Sequence, residues 1–244
     1  MSNPAQRITT RLIQALVLSC ISFSGLSDEA GLYDLAPPGS AFLRIINLQK
    51  NSPKGMLTLR IERKSLSADG YCSASRFIYL PPGDYGKQIN GLAWKGSLGP
   101  DQAYSLLIAD KSVTLVKDYR ADDSRRGMLA VYNFSSRPRL SLHAGKLARP
   151  VLVNIPQGAS AARGINPLKS AFSVVDSDEA TAKYKRHKEY KRDKEYKERN
   201  EGNEANSLAT TQPMIFQPGV LSTLFICSGE EGLFTRWADK VGGH

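Results

Sequence analysis

Cysteine, histidine and tryptophan are scarce in this chain: three, three and two among 244 residues. No CxxC pair and no run of cysteines is present, which excludes a dithiol redox enzyme and a small fold stapled by several bridges. The histidines (His143, His187 and His244) lie far apart, no HExxH occurs, and no carboxylates cluster at metal-ligand spacing, so no metal or other cofactor is expected. A Gly-rich phosphate loop and a GxSxG elbow are also missing. An acyl-transfer triad needs a nucleophile in hydrogen-bond reach of a base and a third group to orient that base. No histidine is placed to serve one, and Cys72 in Asp69-Gly70-Tyr71-Cys72 has no base beside it. No catalytic residue is therefore assigned, although distant strands can still bring two carboxylates together for glycoside chemistry. Long apolar runs are absent as well. The chief one, Leu12–Phe23, is broken by Gln14 and too short to cross a hydrocarbon core of about 30 Å.

That run has another reading. Arg7 and Arg11 precede it with no acid, and it ends in small residues before Asp28-Glu29. A basic start, a short apolar centre and a small-x-small site make a secretory signal peptide over residues 1–27, with cleavage after Ser27. The arginines are not adjacent, so export in the unfolded state is expected. Val17-Leu18-Ser19-Cys20 imitates a lipoprotein site, but leucine fits poorly before the small residue and the apolar run continues past Cys20. Without the signal, the formal charge falls from +10 to +8. A positive surface suits an acidic partner or an anionic polymer. Cys72 and Cys227 remain. They are able to form one bridge in an oxidising compartment, but the plainer reading is two small buried hydrophobes, because the division below places them in different domains.

After the signal, short strands follow one another. Ser40–Leu48 comes after the turn Pro37-Pro38-Gly39. Leu57, Leu59 and Ile61 then alternate with Thr58, Arg60 and Glu62, the period-two pattern of a strand with one wet face. Arg76–Leu80 is stopped by Pro81-Pro82-Gly83, and Gln102–Ala109 and Ser112–Tyr119 close the half. Polar Asp122–Arg126 reads as a linker. The pattern then restarts with Gly127–Phe134, Leu140–Ala144, Val151–Ile155, Ser170–Val175, Gln212–Phe216 and Leu221–Cys227. Each half opens with a strand that has an asparagine near its end (Asn47, Asn133). The expectation is an all-β protein of two small β-sandwich domains, 28–121 and 127–244.

Lys183–Glu204 interrupts the second half. It carries the hexads Tyr184–Glu189, Tyr190–Glu195 and Tyr196–Glu201, with nine basic and six acidic residues. It has no apolar seam, so a charged surface insertion is expected. Its acids nearly cancel its bases, which argues against nucleic acid despite the interleaved tyrosines.

Binding candidates are surface aromatics and arginines. Tyr33, Tyr71, Tyr79 and Tyr85 fall at or near strand ends, and Arg44 and Arg60 are read as solvent-facing. An arginine fork matches a uronate carboxylate bidentately. The opening segment Tyr33–Asn47 combines aromatic, proline and arginine ahead of a strand and is the favoured contact surface.

Leu32-Tyr33-Asp34-Leu35-Ala36-Pro37-Pro38-Gly39-Ser40-Ala41-Phe42-Leu43-Arg44-Ile45-Ile46-Asn47 resembles the mature start of the pseudomonad alginate O-acetylation accessory family. Gly83-Asp84-Tyr85, Tyr104–Leu107, Tyr132-Asn133 and Ile165-Asn166-Pro167 are similar to its later landmarks, in the same order. The resemblance implies a periplasmic protein of two β-sandwich domains on a short linker. It also implies an adaptor, with acyl transfer carried by separate membrane and periplasmic partners bearing the Ser, His and Asp groups. The tract 183–204 is an insertion relative to that pattern. Two other readings are kept: a carbohydrate-binding module for an acidic exopolysaccharide, and an acetyltransferase subunit with its own activity.

Overall fold

The computed structural model describes residues 36–50, 56–120, 123–145, 149–178 and 207–238. The signal segment, Tyr33 and the charged tract 183–204 lie outside these residues. Contacts group the described residues from Pro38 onward as one compact unit.

Nineteen strands run through the described residues, and a break after β9 separates the first nine from the rest. The first half holds β1 (Ala41–Asn47), β2 (Met56–Ile61), β3 (Lys64–Asp69), β4 (Ser73–Ala74), β5 (Ile78–Leu80), β6 (Gly83–Ile89), β7 (Leu92–Leu98), β8 (Ala103–Ile108) and β9 (Val113–Lys117). The second half opens with β10 (Gly127–Phe134), β11 (Arg139–Ala144), β12 (Arg149–Pro156), β13 (Ser160–Ile165), β14 (Lys169–Ser170) and β15 (Phe172–Asp176). It closes with β16 (Ala209–Thr210), β17 (Met214–Ile215), β18 (Leu221–Ser228) and β19 (Leu233–Trp237). The protein is all-β, as the short alternating runs require.

The two halves share a sheet plan. In the first, the order is β4-β1-β8-β9, with β5 also on β1; in the second it is β13-β10-β18-β19. In both, the opening strand pairs antiparallel on one side (β1 with β4 and β5, β10 with β13). On its other side it pairs parallel with a late strand (β8, β18), which turns back antiparallel into the last one (β9, β19). The asparagines hold equivalent places. Asn47 and Asn133 are fully buried, and each accepts a hydrogen bond on Oδ1 from the backbone N–H two residues on, Gln49 at 3.0 Å and Ser135 at 3.1 Å. The side chain closes an Asx turn where the strand ends.

Successive side chains leave a strand on opposite faces, so β1 and β10 each serve two cores. Leu43 and Ile45 join Leu57, Leu59, Leu66 and Trp94 in a first apolar cluster beneath the β2–β3 and β6–β7 hairpins. Leu129 and Val131 join Leu140, Leu142, Phe172 and Val174 in a second, beneath the β12-β11-β15-β16 sheet. The opposite faces meet in a third cluster, where Ile46 and Cys72 of the first half pack with Ala130, Tyr132, Phe225 and Cys227 of the second. Burial on both faces explains why β1 and β10 read as nearly continuous apolar runs, while β2 alternates exposed and buried.

Two expectations are corrected here. Cys72 and Cys227 are fully buried, but they are joined in a disulfide with Cα atoms 6.4 Å apart. They pair across the halves because both project into the third cluster. Arg44 does not face solvent; it is 1% exposed in the same layer.

Candidate functional site

Two places concentrate functional chemistry. The outer one is on the β6–β7 hairpin, which turns through Asn90-Gly91. Both turn residues have positive φ, 49° and 80°, and Ile89 pairs with Leu92, so this is a two-residue turn of the type that favours Asn-Gly. The hairpin carries shallow grooves on either side of Tyr85-Gly86. One, of about 360 Å³, is walled by Glu62, Asp84, Tyr85, Lys87 and Trp94. The other, of about 540 Å³, is walled by Asp84, Tyr85, Lys95 and Ser97. Tyr85 donates its phenol to the Pro81 carbonyl at 2.7 Å, which orients the ring. Burial, and then the negative charge of Glu62, push the Tyr85 phenol pKa above its ordinary value. Lys87 donates its ammonium to the Arg60 carbonyl. The Trp94 indole N–H is buried and meets no acceptor among the described residues. Arg60 is exposed on β2, and its carbonyl, which takes the Lys87 ammonium, brings β2 beside the first groove.

The inner place is the layer between the halves. Asp118, just past β9, is 7% exposed and collects donors from both halves. Arg44 Nη2 lies 3.3 Å from its Oδ1, and Ser105 Oγ lies 2.9 and 2.7 Å from its two oxygens. Tyr132 of β10 donates its phenol to the same carboxylate at 2.5 Å. Arg44 Nε donates to Ser105 Oγ at 2.7 Å, and Nη2 reaches Thr223 Oγ1 at 3.4 Å. The guanidinium lies over the Phe77 ring at 4.6 Å and near Phe225 at 5.8 Å, one ring from each half. A buried charge has to be paired and hydrogen-bonded, and β1 supplies Arg44 on the face turned to the second half. Burial, reinforced by the Asp118 charge, pushes the Tyr132 phenol pKa far up.

Of the sequence candidates, Tyr85 lines the grooves and Arg60 is exposed on the neighbouring strand β2, whereas Arg44 and Asn47 are interior. Asn47 caps its strand, and its carbonyl also accepts the Cys72 N–H at 2.7 Å. Tyr71 and Tyr79 are half-buried. Tyr71 meets Phe234 of the second half edge-on at 6.1 Å, and Lys64 lies over the Tyr79 ring. Sequence reasoning missed Asp118, Ser105, Tyr132, Thr223 and Trp94. A lone arginine inside the apolar run Ala41–Asn47 was the available signal, because such a charge needs a buried partner. His143 is half-buried on β11, opposite Ser173 and Pro150. Among the described residues no cluster fit for a metal occurs, and no helix is long and apolar enough to cross a membrane.

These features define a class: an all-β protein in which two like-built halves share a covalently bridged, ion-paired layer. The chain belongs to the family described as alginate O-acetyl transferase AlgF, whose sequence profile matches residues 15–188. The alginate biosynthesis protein AlgF of Pseudomonas aeruginosa is 28% identical over 187 residues, 75% of this chain and 84% of that protein. Its namesake in Pseudomonas fluorescens is 24% identical over 182 residues (74% and 82%), and that of Azotobacter vinelandii 26% over 161 (65% and 72%). A solved structure of the C-terminal domain of AlgF from P. aeruginosa matches 46% of this chain and 96% of that one, with 17% identity and a TM-score of 0.31.

Proposed function

We propose that this protein is exported and acts in the periplasm as an adaptor for O-acetylation of alginate or a related exopolysaccharide, holding acetyl-transfer proteins together without performing the transfer. Family membership supports the pathway. The N-terminal signal pattern and a disulfide that persists in an oxidising compartment support export. One observation carries the bridging reading: the halves meet through their inner faces. That leaves the β2–β3 and β6–β7 hairpins on one side and the β11–β12–β15–β16 sheet on the other as separate outer surfaces. An adaptor needs two such surfaces, because holding two proteins on one body raises their mutual effective concentration.

Intact protein immobilised and washed with membrane and periplasmic extract of an alginate producer should retain at least two acetyl-transfer components. Arg60→Glu combined with Tyr85→Ala should lose one of them and keep the other. Retention of none by the intact chain overturns the reading. An activated acetyl ester should show no turnover above buffer.

The groove beside Tyr85 favours a second reading, a carbohydrate-binding surface. Titration with polyuronate and with neutral glucan at low and high salt separates the two, because uronate binding should weaken with salt and need Arg60.

A further inference from the structure

We infer that the Cys72–Cys227 disulfide and the Arg44–Asp118–Tyr132 cluster form a two-point clamp that sets the relative orientation of the halves, and that oxidation completes it. One end of each point lies on β18. Thr223, Phe225 and Cys227 alternate along β18 on the face turned to the first half, while Leu224 and Ile226 face the second core. At about 3.3 Å per residue, the Thr223 end, where Arg44 reaches across, and the disulfide at Cys227 stand about 13 Å apart. Phe225 fills the gap between them. A single attachment leaves the halves free to pivot about it. Two attachments on one strand face, with packed side chains between, remove that rotation.

The two points differ in chemistry. The ionic point is completed on docking, because the Arg44–Asp118 pair lies within the first half and Tyr132 and Thr223 reach it from the second. The covalent point requires oxidation. Two thiols form the S–S bond and pass two electrons and two protons to the disulfide of a thiol–disulfide exchange oxidant, which leaves as a dithiol. Both cysteines are fully buried once docked, so a reductant reaches the bond only if the layer opens. The clamp therefore closes once and stays closed. This rests on the adaptor reading only for its use, a fixed spacing between two docking surfaces. The geometry stands without it.

The test compares the full chain with the Cys72→Ser/Cys227→Ser variant by residual dipolar couplings. The oxidised protein should fit one alignment tensor across both halves. The variant should keep the amide dispersion of each half but need two tensors, and adding Tyr132→Phe should widen the divergence. Peptide mapping of the exported protein should find the Cys72 peptide linked to the Cys227 peptide. A single tensor in the triple variant, or two free thiols in the exported protein, overturns the clamp. If the variant unfolds, mild reduction of the folded protein followed by alkylation serves instead. Resistance of the disulfide to reductant until global unfolding supports the closed clamp, and ready reduction and alkylation of both cysteines at native conditions overturns it. A protein that holds one tensor yet captures no acetyl-transfer component would sink the adaptor reading and leave the clamp intact.

Discussion

Asp118 is the residue on which the junction turns. Its carboxylate accepts from Ser105 and Tyr132 and pairs with Arg44, all of them buried. Arg44→Met strips the cation and leaves the charge in place, which should cost about 3–5 kcal/mol in denaturant unfolding. Arg44→Met with Asp118→Leu should recover most of that loss, because replacing both partners removes the unpaired charge. A double variant no more stable than the single would show that packing, and not charge, governs the site. Tyr132 adds a pH signature. Its folded pKa lies above the unfolded value near 10, so its contribution is complete below about pH 10. Above that the unfolded chain binds fewer protons than the native one, and stability falls by up to about 1.4 kcal/mol per pH unit for this group. Tyr132→Phe should flatten that alkaline limb while lowering neutral stability by about 1–3 kcal/mol. An unchanged alkaline limb would rule Tyr132 out as its source.

Among elements, the β6–β7 hairpin carries both grooves. It forms a two-stranded sheet of its own, and most of its side chains are exposed or half-buried. Its order depends on the Asn90-Gly91 turn, where Gly91 has a φ of 80° that an L residue adopts at a cost of about 1–2 kcal/mol. Gly91→Ala should therefore speed hydrogen exchange of β6 and β7 amides by about 5- to 30-fold and leave β1 and β10 amides unchanged. Equal acceleration everywhere would mean that the hairpin opens only with the whole fold. If the Tyr85 grooves dock a partner, the same substitution should weaken docking without loosening the junction.

For the whole molecule, the disulfide closes a loop spanning a sequence separation of 155. Chain entropy sets its stabilising limit at about 5 kcal/mol. Cys72→Ser/Cys227→Ser should lower the denaturant midpoint accordingly, and the loss should stay below that limit because the shared apolar cluster keeps the halves associated even as they pivot. A midpoint that does not move would mean that the ionic point and the cluster suffice.

Much of this was legible in the chain. Strict alternation predicts β2, and Gly127–Phe134 corresponds residue for residue to β10. The repeated order of strands and end-asparagines also marks the like-built halves, because local pattern dictates which face of a strand is wet. Seven strands (β3, β4, β6, β7, β13, β16 and β19) escape the sequence reading. The β4 and β16 strands are two residues long, β6 begins within the Pro81-Pro82-Gly83 stretch, and Asn90-Gly91 is the turn signal that marks the β6–β7 hairpin. No local pattern could have told that β1 and β10 are buried on both faces, since a continuous apolar run fits several packings. The sequence by itself determined many of the strands, the all-β class and the family likeness, all of which depend on residues near one another in the chain. Only the tertiary structure decided that Arg44 faces inward, that Asp118 and Tyr132 meet it, and that Cys72 bonds Cys227. Each of those depends on which faces two distant sheets turn toward each other, and that is settled by the packing of the whole.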